Sequence, residues 1–65
     1  MSTDQVSRRA TEIAEFVIGE GRVEGEDEEW WLTSLGLEVL LEADDRGYEN
    51  ATEIAEEAVR LHTKA

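Results

Sequence analysis

Residues 30–41, WWLTSLGLEVLL, carry a single charge, Glu38. No other stretch of the chain is as apolar, so any fold must be built around this run. At helical spacing Leu32, Leu35, Val39 and Ala43 share one face, while Trp30, Leu37 and Leu41 lie on another. A helix that is apolar on two faces is either central to its own core or shared with a neighbour. Gly36 interrupts the run and costs a helix interior up to ~1 kcal/mol relative to alanine. Such a glycine often marks close backbone approach or a change of structure. Two readings follow: a helix over about 30–46, or a short strand near 28–34 followed by a helix from Ser34 onward. Asp44, Asp45, Arg46 and Gly47 end the element in either case.

The flanking segments are simpler. Residues 3–18 form an amphipathic pattern, with Val6, Ala10, Ile13, Ala14 and Val17 on one side. Ser2 with Gln5 suggests a capping box, Asp4 suits the positive end of the helix dipole, and Gly19 and Gly21 stop the helix. From Gly19 to Glu29 the chain is glycine-punctuated and acidic, a loop with room for one β bridge around Arg22–Glu24. Asn50 with Glu53 three residues later is a capping-box pattern for a last helix over about 51–63, with Lys64 suited to its negative end. The expected fold is therefore an all-α, three-helix domain covering residues 1–65. The hexapeptide ATEIAE recurs at 10–15 and 51–56, but the flanks do not match, and chance repetition explains it.

A core this small is weak. Below roughly 70–80 residues a single core seldom supplies more than ~3–5 kcal/mol unaided. The chain has no cysteine, which removes disulfides and cysteine-based metal centres. Oligomerisation or a partner is the remaining cheap source of buried apolar area. Charge sharpens the point, because seventeen acids against six bases leave a formal net charge of −11. Free binding to nucleic-acid phosphates needs Lys/Arg clusters and is disfavoured. Three readings of the acidity remain: a surface screened in a high-salt cytoplasm, a patch that meets a basic protein, or a solvated face. No spanning helix of ~20 apolar residues and no signal-type opening is present, so a cytoplasmic location without membrane association is expected.

Chemistry-bearing constellations are sparse. The acids Glu24, Glu26, Asp27, Glu28 and Glu29 lack the alternating ligands and closing bidentate glutamate of a calcium loop. Paired carboxylates for hydrolysis need a cleft, and His62 has no nucleophile to serve. The expectation is no enzyme, no cofactor and no metal. Trp30-Trp31 is more informative. Adjacent side chains point about 100° apart on a helix and to opposite faces of a strand, so both do not easily enter one small core. Two readings follow: one tryptophan is core and the other an anchor for a partner, where Trp is enriched, or both are core residues on a broad helix. The candidate interaction residues are Trp30, Trp31, Glu26, Asp27, Glu28, Glu29, Leu37 and Leu41.

Residues 34–60 carry one resemblance. Gly47, Tyr48, Asn50, Thr52, Glu53, Glu57, Ala58, Val59 and Arg60 match positions in the two-helix half of ribbon-helix-helix proteins. The resemblance implies an intertwined homodimer whose paired strands, here within 28–34, enter the DNA major groove. The sequence departs from that pattern at the reading segment, where Glu28-Glu29-Trp30-Trp31 replaces basic or polar base-readers. Glu56 also stands where an arginine is common, and the helix over 3–18 has no counterpart.

These observations favour a non-enzymatic acidic interaction module, a small regulator or inhibitor that meets a basic, nucleic-acid-binding protein surface, self-associates, or does both. The alternative is a dimeric ribbon-helix-helix DNA-binding regulator or antitoxin. A third reading is a halophilic structural oligomerisation domain.

Overall fold

The computed structural model describes residues 3–63, and three helices account for most of them: α1 (Thr3–Gly19), α2 (Glu28–Asp45) and α3 (Ala51–His62). The expected all-α architecture is observed. The short strand near 28–34 is not: those residues form the first two turns of α2, and no strand occurs among the described residues. The reason is local. Asp27 holds extended backbone at the N-cap, and its Oδ1 accepts the Trp30 N–H at 2.8 Å. The Asp27 carbonyl accepts the Trp31 N–H at 2.9 Å. Glu28 and Glu29 then place negative charge where the helix dipole favours it. A cap plus two acids starts the helix two residues earlier than its apolar run.

Residues 22–25 form no β bridge either, because the donors of that segment have other acceptors. The Arg22 N–H closes α1 on Val17 O at 3.1 Å, and the Glu24 N–H donates to Ser34 Oγ at 3.0 Å. At the end of α2 the Tyr48 N–H donates to Ala43 O and the Gly47 N–H to Asp44 O, both at 3.0 Å. That pair of bonds requires a left-handed residue, and Gly47 supplies it at φ +83°. α3 starts differently from its sequence expectation. Asn50 caps through its carbonyl, which accepts the Ile54 N–H at 3.0 Å, and its side chain makes no capping bond. Its ψ of 36°, against 167° at Asp27, turns it out of the extended conformation that side-chain capping normally uses. The proposed Ser2 cap and the Lys64 dipole contact lie outside the described residues.

The core is narrow. Its larger members are Ile13 and Val17 from α1, Leu35 and Val39 from α2, and Ile54 from α3. Ala10, Ala14, Ala43, Ala51, Ala55 and Ala58 fill the rest, all 8% exposed or less. Alanines at the contacts suit a slab whose Cα extents are 34 × 26 × 16 Å, since few positions are shielded on both sides. Val23 and Tyr48, one from each connection, pack against the core's edges together with Val6, Trp31, Leu32 and Leu40. Both ATEIAE copies present the same positions inward: Ala10, Ile13 and Ala14 in α1, and Ala51, Ile54 and Ala55 in α3. The identical hexapeptides thus perform the same packing task in two helices. No helix among the described residues is long and apolar enough to cross a membrane.

Candidate interaction surface

α2 carries six acids, no base, and two apolar faces. At 100° per residue, Leu35, Val39 and Ala43 point inward and are fully buried. Trp30, Leu37 and Leu41 fall on the opposite side. They are 66%, 56% and 58% exposed, so the stripe lies open to solvent along the helix. Monomeric proteins seldom leave a contiguous row of large apolar side chains uncovered without a use for it.

The two tryptophans separate as adjacent helical residues must. Trp31 is half-buried, packs on the core and meets the His62 ring at 5.9 Å between centroids. His62 Nδ1 lies 2.9 Å from Ala58 O, which ties the ring to its own helix. Trp30 projects outward. Beside it the loop passes so close that a side chain at Gly25 would stand 2.5 Å from Trp31 N and 2.7 Å from Trp30 Cδ1. That contact holds the acidic segment against the start of α2. Glu26, Asp27, Glu28 and Glu29 are all exposed there, and Asp27 combines its charge with its capping role. Among the described residues no group of three or more His, Asp or Glu forms a metal-holding cluster.

The arginines explain which acids remain on display. Arg22 leaves the loop to bond Glu38 Oε1 at 2.8 Å and Glu42 Oε1 at 2.9 Å, and Arg46 reaches the other Glu42 oxygen at 2.9 Å. Arg46 and Arg22 together hold the Glu42 carboxyl below its ordinary range. On α3, Arg60 makes two 2.7 Å bonds to Glu57, and Ser7 of α1 donates to the same carboxylate. Arg60 first, then Ser7, lowers the Glu57 pKa from 4.5 to about 2. Arg9 stacks over Tyr48 at 4.3 Å, and Arg46 covers Phe16 at 5.1 Å. Positive charge is thus gathered on α1, the connections and the Arg60 edge of α3, and is absent from α2.

Sequence reasoning found the stripe and the acid segment but missed what lies beside them. An open groove of about 550 Å³ runs between α2 and α3. Leu32, Gly36, Leu37 and Leu40 line it from α2, Ala55 and Val59 from α3, and Glu29 and Glu56 stand on its edges. Gly36 is the signal that was available, since a glycine within an apolar helix marks close approach. A Cβ there would come within 3.0 Å of Val59 Cγ2, so α3 occupies the space the missing side chain leaves. The identity of the approaching residue, Val59, is a tertiary fact. No protein-family model, curated protein or solved structure matches this chain.

Proposed function

We propose that the chain is a non-enzymatic acidic interaction module that docks on a basic protein surface, acting as a small regulator or inhibitor of a nucleic-acid-binding protein. The observation that carries this reading is the outward stripe Trp30–Leu37–Leu41 on a helix with six acids and no base. A large aromatic beside aliphatic side chains supplies an anchor, and the surrounding carboxylates steer the encounter with a cationic partner. Arg22, Arg46 and Arg60 are held in internal pairs with Glu38, Glu42 and Glu57, while the acids at 26–29 are exposed.

The test compares the parent chain with a variant carrying Glu26→Gln, Asp27→Asn, Glu28→Gln and Glu29→Gln. Asparagine at 27 preserves the cap. Each protein is titrated against purified basic DNA-binding domains and against short duplex DNA over a salt series. The parent is expected to bind a basic domain in competition with DNA, and the variant to associate more slowly with a flatter salt dependence. Trp30→Ala is expected to speed dissociation, at a cost of about 2 kcal/mol if it is the anchor. Tight, sequence-dependent binding of the neutralised variant to duplex DNA would sink the proposal in favour of a ribbon-helix-helix regulator.

A further inference from the structure

The groove side of α2 has a repeating order that the exposed stripe alone does not disclose. On this side the helix presents Glu29, Leu32, Thr33, Gly36, Leu37 and Leu40 along the groove, and Asp44 follows on the same side one turn beyond Leu40. The five between Glu29 and Asp44 are uncharged, and both ends are carboxylates. The ends are fifteen residues apart, about 22 Å along the helix axis. Across the groove Val59 and Ala55 of α3 continue the apolar floor, and Glu56 adds a third carboxylate on that bank. No base lines the groove.

We infer that this groove seats a cationic amphipathic helix of the partner protein, an inference that rests on the interaction-module reading above. Helix-in-groove recognition places an apolar stripe of one helix into a trough between two others, with anchors at i, i+3, i+4 and i+7. Gly36 lets α3 pack close, and Val59, filling the space beside it, forms the floor on which such a helix would rest. The matching helix carries apolar residues over its central turns and Lys or Arg at both ends, opposite Glu29 and Asp44. A second copy of this chain does not satisfy that pattern. Whether two α2 helices cross parallel or antiparallel, an acidic end meets an acidic end, and each copy adds its own charge of −11. Asp44 supplies independent support. It sits in the last turn of α2, where a carboxylate opposes the helix dipole, so helix stability does not account for it.

The experiment uses two synthetic peptides of twenty residues with one Leu/Lys composition. In the first, leucines follow helical spacing over the central turns and lysines occupy both ends. In the second, the order is permuted so that no apolar face forms. Each is titrated into the isotope-labelled chain while backbone amide shifts and Trp30 fluorescence are followed. The first peptide is expected to become helical on binding and to bind at least tenfold tighter than the second. Its shifts should concentrate at Leu32, Thr33, Gly36, Leu37, Leu40 and Val59. Leu37→Ser and Thr33→Lys, both at exposed positions, should each weaken it tenfold or more without loss of helicity. Equal affinity for both peptides, with shifts confined to 24–29, overturns the helix as occupant and leaves an acidic module that recognises charge alone. Absence of binding to either peptide and to basic domains overturns both readings. Concentration-dependent self-association through the same amides, without peptide, assigns the groove to a second copy and overturns the inference.

Discussion

Leu35 and Leu37 lie two residues apart on one helix and offer a controlled pair. Leu35 is fully buried between the three helices, and Leu37 is 56% exposed on the far side. Replacing each by alanine removes the same atoms from opposite environments. At Leu35 the change forfeits the transfer term and leaves a cavity, together about 3 kcal/mol or more. The neighbours that would have to collapse are largely alanines and helix backbone, which have little side chain with which to fill the space. At Leu37 less than half the side chain is covered, and at ~0.8 kcal/mol per methylene the loss is about 1 kcal/mol with no cavity. An unfolding entropy of ~2.1 cal/mol/K per residue makes each kcal/mol worth about 7 °C here. Leu35→Ala should therefore lower the melting temperature by about 20 °C, or unfold a domain whose total stability is only ~3–5 kcal/mol. Leu37→Ala should lower it by about 7 °C or less. Thermal denaturation followed by circular dichroism at two protein concentrations reads both. Melting points within about 5 °C of one another would refute the assignment of core and outer faces. A large, concentration-dependent loss for Leu37→Ala would show that the outer face is covered by another copy.

Three further outcomes follow from local geometry. Asp27→Ala should cost about 1 kcal/mol by removing the bond to the Trp30 N–H, whereas Asp27→Asn should stay within a few tenths; equal melting of all three proteins would mean that α2 starts elsewhere. Glu57, held at about 2 against an ordinary 4.5, stabilises the folded state above pH 4.5 and loses that contribution as pH falls through about 2. Carboxyl titration by NMR checks the midpoint, Ser7→Ala should raise it, and a parent midpoint near 4.5 would show that the Arg60 clamp is not formed. Gly25→Ala should cost about 1–3 kcal/mol, since φ +145° is strained for alanine and its Cβ would strike the Trp31 backbone. Its amide shifts should spread over 24–31, and an unchanged spectrum there would contradict the close passage of the loop.

The helices were legible because periodicity is a local property. α1 and the two faces of α2 follow directly from residue spacing, and burial at Leu35 and Val39 with exposure at Trp30, Leu37 and Leu41 matches that spacing residue by residue. Of the two readings of the apolar run, the helix over about 30–46 is the one that forms, starting at Glu28, and the strand near 28–34 that Gly36 suggested does not. Gly36 indeed marks a close approach, but of Val59 across a continuous helix. Asn50 shows the limit of capping motifs, since the residue type matched and the backbone angle did not. Arg22 was the least legible. It is the only base between Arg9 and Arg46, yet that it reaches Glu38 and Glu42 is settled by how the loop crosses α2.

Asp44 is where the fold and the face make opposite demands. Its carboxylate stands in the last turn of α2 beside Asp45, and that turn contains no base. Negative charge at a helix C-terminus typically costs about 0.3–1 kcal/mol. In a domain whose margin is only a few kcal/mol, that is a noticeable share. A chain selected for stability alone would place lysine or arginine there. Asp44→Lys should therefore raise the melting temperature by a few degrees while weakening the helical Leu/Lys peptide, because it places a cation opposite the partner's own. Asp45→Lys serves as the control, since Asp45 points about 100° away from the groove side and gains the same dipole term. If both substitutions stabilise and only Asp44→Lys impairs peptide binding, the acid belongs to the groove. If neither changes binding, the carboxylates at the end of α2 are surface charge, and the groove is recognised through its apolar floor alone.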